Sequence, residues 1–268
     1  MLSATGHAVP GETVNRWLPY RRPNIDPAMR LFCFAHAGGS AGSFRAWDSV
    51  FPRHIEICAV QLPGRESRLN EPQARRMALL VETLVMALRP LLDKPFALFG
   101  HSLGANVAFE LARHLRADRR GPLHVFASGC RAPHLRNPRP LLYTLPDSDL
   151  IESLRAFGGT PAEVFDNRDL LDWLLPVVRA DLELNETYVL ESPDALDCPI
   201  TAFGASGDSR VSSEEVHAWS ELTRGRFRRR IFEGNHFFVY ERQGELAKEI
   251  RQDLDLSASE LHDIAPPC

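Results

Sequence analysis

The stretch Phe96-Ala97-Leu98-Phe99-Gly100-His101-Ser102-Leu103-Gly104-Ala105 decides how this chain is read. Its apolar first half has the pattern of a buried strand. It closes with Gly-His-Ser-Leu-Gly and passes directly into Asn106-Val107-Ala108-Phe109-Glu110-Leu111-Ala112, whose apolar residues recur at helical spacing. A strand that becomes a helix within five residues leaves no room for a Cβ at Gly100 or Gly104. It also lifts Ser102 to the apex of the turn with its hydroxyl free. The pattern G-x-S-x-G alone is a weak signal, satisfied by any glycine-rich turn with a bonded serine. Between a predicted strand and a predicted helix it marks Ser102 as a nucleophile.

Upstream, Arg30-Leu31-Phe32-Cys33-Phe34-Ala35 reads as a buried strand that empties into His36-Ala37-Gly38-Gly39-Ser40. Such a loop lets backbone N–H groups approach a ligand closely and can supply one oxyanion donor; an ordinary strand-to-helix turn is the competing reading. Ile55 to Leu62 is another strand, closed by Pro63-Gly64 and followed by the polar loop Arg65-Glu66-Ser67-Arg68. Ala74 to Leu92 has helical spacing, stopped near Pro90. Downstream, strands are expected at Leu123 to Gly129, Pro199 to Gly204 and Arg226 to Phe232, with helices from Ser213 to Leu222 and Phe237 to Leu254. This alternation implies an α/β fold: a mostly parallel sheet covered by helices on both faces. From Pro140 to Tyr188 the pattern is helical without an intervening strand, with breaks at Gly158-Gly159-Thr160-Pro161 and near Pro176. These helices are an insertion, read as a lid over Ser102; simple core packing is the bland alternative. The expected organisation is a disordered leader over 1–15, a single domain over 16–256 with its helical lid at about 138–190, and a flexible tail over 257–268. Arg16 to Arg21 is expected to form a short edge strand.

With 268 residues, 44% hydrophobic and 25% charged, the composition suits one soluble domain with an insertion. A net charge of −4 gives no case for nucleic acid, and no apolar run approaches the ~20 residues of a membrane span. The first dozen residues lack the basic-then-apolar order of a signal peptide. Of Cys33, Cys58, Cys130, Cys198 and Cys268, the first four lie in or beside apolar runs and are expected to be buried, reduced thiols. A cytoplasmic monomer is the resulting expectation.

Ser102 needs a base, and the base needs an orienting acid. Among ten histidines, only His236 follows a terminal strand after a glycine and leads into the last helix. Asp208 ends the preceding strand in Gly204-Ala205-Ser206-Gly207-Asp208, so parallel neighbours bring both to the sheet edge that carries the elbow. The order Ser…Asp…His is that of the α/β-hydrolase fold. His101 would point away from Ser102 and is read as structural. The expected chemistry is two-step acyl transfer: Ser102 attacks, His236 moves the proton, Asp208 holds the tautomer. The backbone N–H groups of Leu103 and Ala37 would hold the oxyanion. Gly38, Gln61 and Arg65 are candidate substrate contacts, and no metal is required.

Several stretches carry a closer resemblance: His36-Ala37-Gly38-Gly39-Ser40, Leu62-Pro63-Gly64-Arg65-Glu66-Ser67-Arg68, Ser128-Gly129-Cys130-Arg131-Ala132-Pro133, Leu154 to Pro161, Leu175 to Asp181, and Gly234-Asn235-His236-Phe237-Phe238. Together with the elbow they cover the chain from about Trp17 to Ile250. It resembles a type II, stand-alone editing thioesterase of polyketide and nonribosomal peptide synthesis. The resemblance implies hydrolysis of acyl groups from the phosphopantetheine arm of an acyl or peptidyl carrier protein, a transient partner. No cofactor beyond that arm is implied. It places nucleophile, acid and base at Ser102, Asp208 and His236. A chain-terminating medium-chain acyl thioesterase, a small-ester hydrolase and a non-catalytic binding module are the alternatives. The Arg224 to Arg230 run, and Arg65 with Arg68, are candidate docking charges for an acidic carrier protein; a solvated basic face is the competing reading.

Overall fold

The computed structural model describes residues 10–22, 26–117 and 121–264. Six strands form one fully parallel sheet: β1 (Met29–Phe34), β2 (Ile55–Ala59), β3 (Phe96–His101), β4 (Val125–Ser128), β5 (Ile200–Ala205) and β6 (Phe227–Phe232), in the spatial order β2-β1-β3-β4-β5-β6. The helices are α1 (Pro10–Trp17), α2 (Trp47–Val50), α3 (Met77–Leu88), α4 (Leu103–Ala117), α5 (Asp147–Phe157), α6 (Ala162–Phe165), α7 (Arg168–Glu186), α8 (Ser213–His217), α9 (Phe238–Glu241) and α10 (Gln243–Ile264).

Strands β1 to β5 are buried along their whole length, which is why they read as continuous apolar runs and not as alternating ones. Each still divides its side chains by parity. Phe32, Phe34, Phe96 and Leu98 pack with α3 and α4 on one face; Leu31, Cys33, Ala97 and Phe99 pack with Trp47, Leu246 and Ile250 on the other. Strand β6 lies at the sheet edge and is only partly covered. Its arginines are engaged: Arg228 with Glu249 at 2.9 Å and with Asp253, Arg230 with Glu249 at 3.5 Å, and Arg229 with the Ser213 carbonyl at 3.2 Å. Arg224 pairs with Asp197 at 3.0 Å. Arg228 and Arg230 tie the edge to α10, and the charged edge deters strand pairing. Cys33, Cys58 and Cys130 are buried and Cys198 is half-buried, all as free thiols whose ionisation burial pushes up.

Four expectations differ from the structure. Arg16 to Arg21 is not a strand: α1 ends at Trp17, Leu18 N–H closes onto the Val14 carbonyl at 2.9 Å, and Arg21 N–H onto Leu18 at 3.1 Å. Pro19 thus sits in a turn. The part of the expected leader within the described residues, 10–15, is helical; 1–9 lie outside them. At the other end α10 continues through 257 to Ile264 where a flexible tail was expected, residues 265–268 lying outside the described range. Ser257 anchors that extension, buried with its hydroxyl 3.0 Å from His124 Nδ1. Finally, α7 runs straight through Pro176, forgoing one bond to the carbonyl four residues back where the sequence suggested a break. Packing of Leu175, Val177 and Val178 holds the helix together there.

His124 has a consequence for stability. Its ring is enclosed, stacked on Phe126 at 4.2 Å, with Nε2 2.9 Å from Thr201 Oγ1. Burial pulls its pKa down to about 4. The unfolded chain binds this proton near pH 6.5, so the stabilisation is complete above that pH and is lost as the pH falls towards 4. The expected loss is about 3 kcal/mol by pH 4 from this residue alone. Urea unfolding from pH 7.5 to 4.5 should show it, and His124→Gln should flatten the slope; an unchanged slope in that variant would remove the assignment.

Candidate active site

At the end of β3 the chain turns as its glycines require. A Cβ on Gly100 would stand 1.9 Å from the Gly104 carbonyl oxygen, and one on Gly104 would stand 2.1 Å from the Phe34 carbonyl oxygen. Ser102, between them, has φ of 54°, a left-handed conformation that a non-glycine residue holds only when its surroundings impose it. The imposition is visible: Ser102 N–H donates to the Ser128 carbonyl at 2.8 Å, and its own carbonyl accepts from Ala105 N–H at 3.0 Å. His101 is fully enclosed beneath the turn, its Nδ1 3.0 Å from Ser128 Oγ and its ring 5.1 Å from that of His236. Burial holds it neutral, well below the usual histidine range. It packs the elbow and does not reach solvent.

Asp208 and His236 arrive from adjacent parallel strands. Ser206 N–H donates to the Phe232 carbonyl and Gly207 N–H to the Gly234 carbonyl, both at 2.9 Å, which carries the pairing of β5 and β6 onward into their loops. Asp208 Oδ2 then lies 2.8 Å from His236 Nδ1, and its Oδ1 accepts from the backbone N–H groups of Arg210 (2.7 Å) and Val211 (3.2 Å). The carboxylate side chain is wholly buried and can only accept, so the proton resides on Nδ1 and Nε2 is left with its lone pair. Ser102 and His236 line one cavity of about 400 Å³. That arrangement can accept a serine proton and return it to a leaving group.

The loop after β1 is fixed by a buried network that the sequence did not disclose. Arg65 makes a bidentate pair with Asp181 of α7 (2.6 and 2.7 Å) and also donates to the Gly39 carbonyl at 2.9 Å. Asp181 in turn accepts the Gly38 N–H at 2.7 Å. Gln61, completely buried, accepts the Ala41 N–H at 3.0 Å. Gln61 lines neither main cavity, whereas Gly38 and Arg65 border the apolar cavity beneath α5, α6 and α7 while Asp181 holds the Gly38 N–H and the Arg65 guanidinium, so all three residues also brace the loop. Arg68 is likewise buried, paired with Glu71 at 2.6 and 2.9 Å and laid over the Trp17 ring at 3.8 Å. The Ala37 N–H donates to no protein acceptor among the described residues, and the Leu103 N–H, first in α4, has no intrahelical one. His36 Nε2 lies 2.7 Å from the Tyr240 hydroxyl, bracing the same loop from α9; no sequence signal singled out Tyr240. Asp181→Ala would leave Arg65 buried without its counter-charge. Its expected cost is about 3–5 kcal/mol, read by chemical denaturation.

Helices α5, α6 and α7 stand over this loop. With Ala37 and Phe237 they enclose a second cavity of about 400 Å³, lined by Leu154, Phe157, Trp173, Leu174 and Val178 and largely apolar. Gly159, at φ of 81°, lies against the Phe237 ring, where a Cβ would meet it at 2.4 Å. The insertion is thereby registered on the loop that carries His236.

The thioesterase domain family matches residues 29–254. Gramicidin S biosynthesis protein GrsT of Aneurinibacillus migulanus is 38% identical over 244 residues, 91% of this chain and 95% of that protein. The medium-chain S-acyl fatty acid synthase thioesterase of Rattus norvegicus is 34% identical over 243 residues, 88% of this chain and 91% of its own. Among solved structures, the RedJ thioesterase of the prodiginine biosynthetic pathway in Streptomyces coelicolor superposes with a TM-score of 0.78 at 36% identity, covering 96% of each chain.

Proposed function

Since the chain belongs to the thioesterase family and is a thioester hydrolase, we propose that it removes stalled or aberrant acyl groups from the phosphopantetheine arms of acyl or peptidyl carrier proteins in polyketide or nonribosomal peptide synthesis. The observation that carries the catalytic part is the 2.8 Å Asp208–His236 bond in the cavity where the left-handed Ser102 stands. The biosynthetic names of GrsT and RedJ support the carrier-protein part.

In this reading His236 Nε2 takes the Ser102 proton as Oγ bonds to the thioester carbon. The oxyanion is held by the N–H groups of Ala37 and Leu103. Collapse breaks the C–S bond, His236 returns the proton to sulfur, and the acyl group stays on Ser102. Water, deprotonated by His236, then releases the acid and restores the serine. A thiol of pKa ~8.5 departs far more easily than an amine, so the imidazolium formed when His236 takes the Ser102 proton suffices as acid. The protein itself holds no cofactor; the phosphopantetheine belongs to the substrate. The carrier is a transient partner of a cytoplasmic monomer. No helix among the described residues is long and apolar enough to cross a membrane.

A second reading, release of one preferred medium-length chain, is favoured by the apolar cavity under the lid and by the likeness to the rat enzyme. Hydrolysis of acetyl and decanoyl groups from a phosphopantetheinylated carrier protein, beside matched coenzyme A thioesters and p-nitrophenyl esters, with Ser102→Ala as blank, decides between them. Preference for short carrier-bound groups supports editing, and preference for decanoyl supports chain release. Turnover of free esters alone would overturn the carrier-protein reading.

A further inference from the structure

The two cavities differ in chemistry and in what they touch. His236 and Ser102 line the first and not the second; the oxyanion loop lines the second. A catalytic histidine must face the leaving group to protonate it. The sulfur and the arm behind it therefore approach through the first cavity, while the acyl chain extends into the apolar one beneath the lid.

The first cavity is cationic although the whole chain carries a net charge of −4. Arg131, Arg136, Arg139 and Arg210 line it against a single carboxylate, Glu186. Of the four, only Arg139 forms an ion pair among the described residues, a bidentate one with Glu215 at 3.2 Å. Arg131 has a buried Nε without a partner. Arg136 is exposed at the rim and forms no ion pair or side-chain hydrogen bond among the described residues. Arg210 stands over the Phe157 ring, its guanidinium carbon 4.3 Å from the centroid, and its side chain makes no hydrogen bond among the described residues. The Glu186 carboxylate is turned to the Tyr143 N–H at 3.1 Å. Burial raises the Glu186 pKa and lowers that of Arg210, each partly offset by the attraction of the other. Three guanidinium groups that form no ion pair among the described residues, two of them partly desolvated, stand around a channel to the nucleophile with one carboxylate near them, and together fit a phosphate.

We propose that Arg131, Arg136 and Arg210 bind the phosphodiester of the phosphopantetheine arm as it threads towards Ser102, so that the enzyme reads the phosphorylated arm as well as the acyl group. This rests on the reading that the arm is phosphopantetheine. The same chemistry occurs in carrier proteins and in coenzyme A, and the substrates below separate them.

The test is kcat/KM for acetyl-pantetheine, acetyl-phosphopantetheine, acetyl-coenzyme A and an acetylated carrier protein, with wild type, Arg136→Gln and Arg210→Gln. Expected is a fall of about tenfold per variant in the ratio of acetyl-phosphopantetheine to acetyl-pantetheine, erased in wild type by high salt. A loss shared by coenzyme A and carrier substrates assigns the site to the 4′-phosphoryl group that both carry, and a loss confined to the carrier places it on the protein surface and overturns the proposal. An unchanged ratio overturns it too, as does a loss that follows the acyl charge when malonyl replaces acetyl. Absence of Ser102-dependent turnover of acetyl-pantetheine would instead count against the catalytic reading, a separate outcome.

Discussion

Ser102→Ala and His236→Ala are each expected to lower kcat by roughly 10⁴ to 10⁶, about 5 to 8 kcal/mol of transition-state stabilisation. The two losses should be equal within an order of magnitude and should not add. Without Oγ there is no bond to form, and without Nε2 there is no acceptor for its proton, so the double variant resembles either single one. Asp208→Asn should lose less, about 10⁴, because the ring remains but its preferred tautomer is reversed. Fold is not the confounder here: the Ser102 side chain is half-exposed and the substitution removes one atom. Steady-state hydrolysis with a fluorophosphonate labelling control measures all three. A Ser102→Ala protein with more than a few per cent of wild-type activity would mean that another nucleophile does the work. Additive losses in the double variant would mean that serine and histidine are not one unit.

The sheet and the meeting of Asp208 with His236 were legible because their signals are local and short. Apolar runs such as Leu31 to Phe34 and Ala97 to Phe99 are continuous in the parallel sheet because both their faces are covered, and each ends in glycines or a turn. Asp208 and His236 could be chosen by which end of its strand each occupies, a property of chain order alone. The loop chemistry was not legible in this way. Arg65 and Asp181 are 116 residues apart and meet only when α7 crosses the loop after β2. From sequence, an arginine in a polar loop beside a proposed site invites a substrate role. Its enclosure by Asp181 and two carbonyls is a tertiary fact with no periodicity to announce it. Ser257 was misjudged for the opposite reason: polar residues near a terminus resemble a loose tail unless the buried His124 awaiting them is known. The uncommitted charge of Arg210 is equally invisible in one dimension, since arginines of the same kind in β6 are consumed by α10.

Gly104→Ala should be the most damaging substitution outside the catalytic groups, and its effect should fall on folding. The added methyl would stand 2.1 Å from the Phe34 carbonyl oxygen and 2.8 Å from that of Ala35. Both are backbone atoms at the end of a central strand, paired on either side with β2 and β3. No side chain can rotate away to relieve the contact. Relief requires α4 to withdraw from β1, which would break the packing of Ala105, Ala108 and Phe109 in the core and displace Leu103 from the loop after β1. Against a total stability of about 5–15 kcal/mol, a cost above 4–5 kcal/mol leaves little folded protein. Gly244→Ala is the matched control of opposite sign: its Cβ would meet nothing within 4 Å, and in α10 it should stabilise by about 0.4–1 kcal/mol. Soluble yield and urea midpoints for the two variants test the pair. A Gly104→Ala protein that unfolds at the wild-type midpoint would mean that α4 can shift away from β1 without cost. The close approach that brings the Leu103 N–H beside the Ala37 loop would then be incidental to how this site is built.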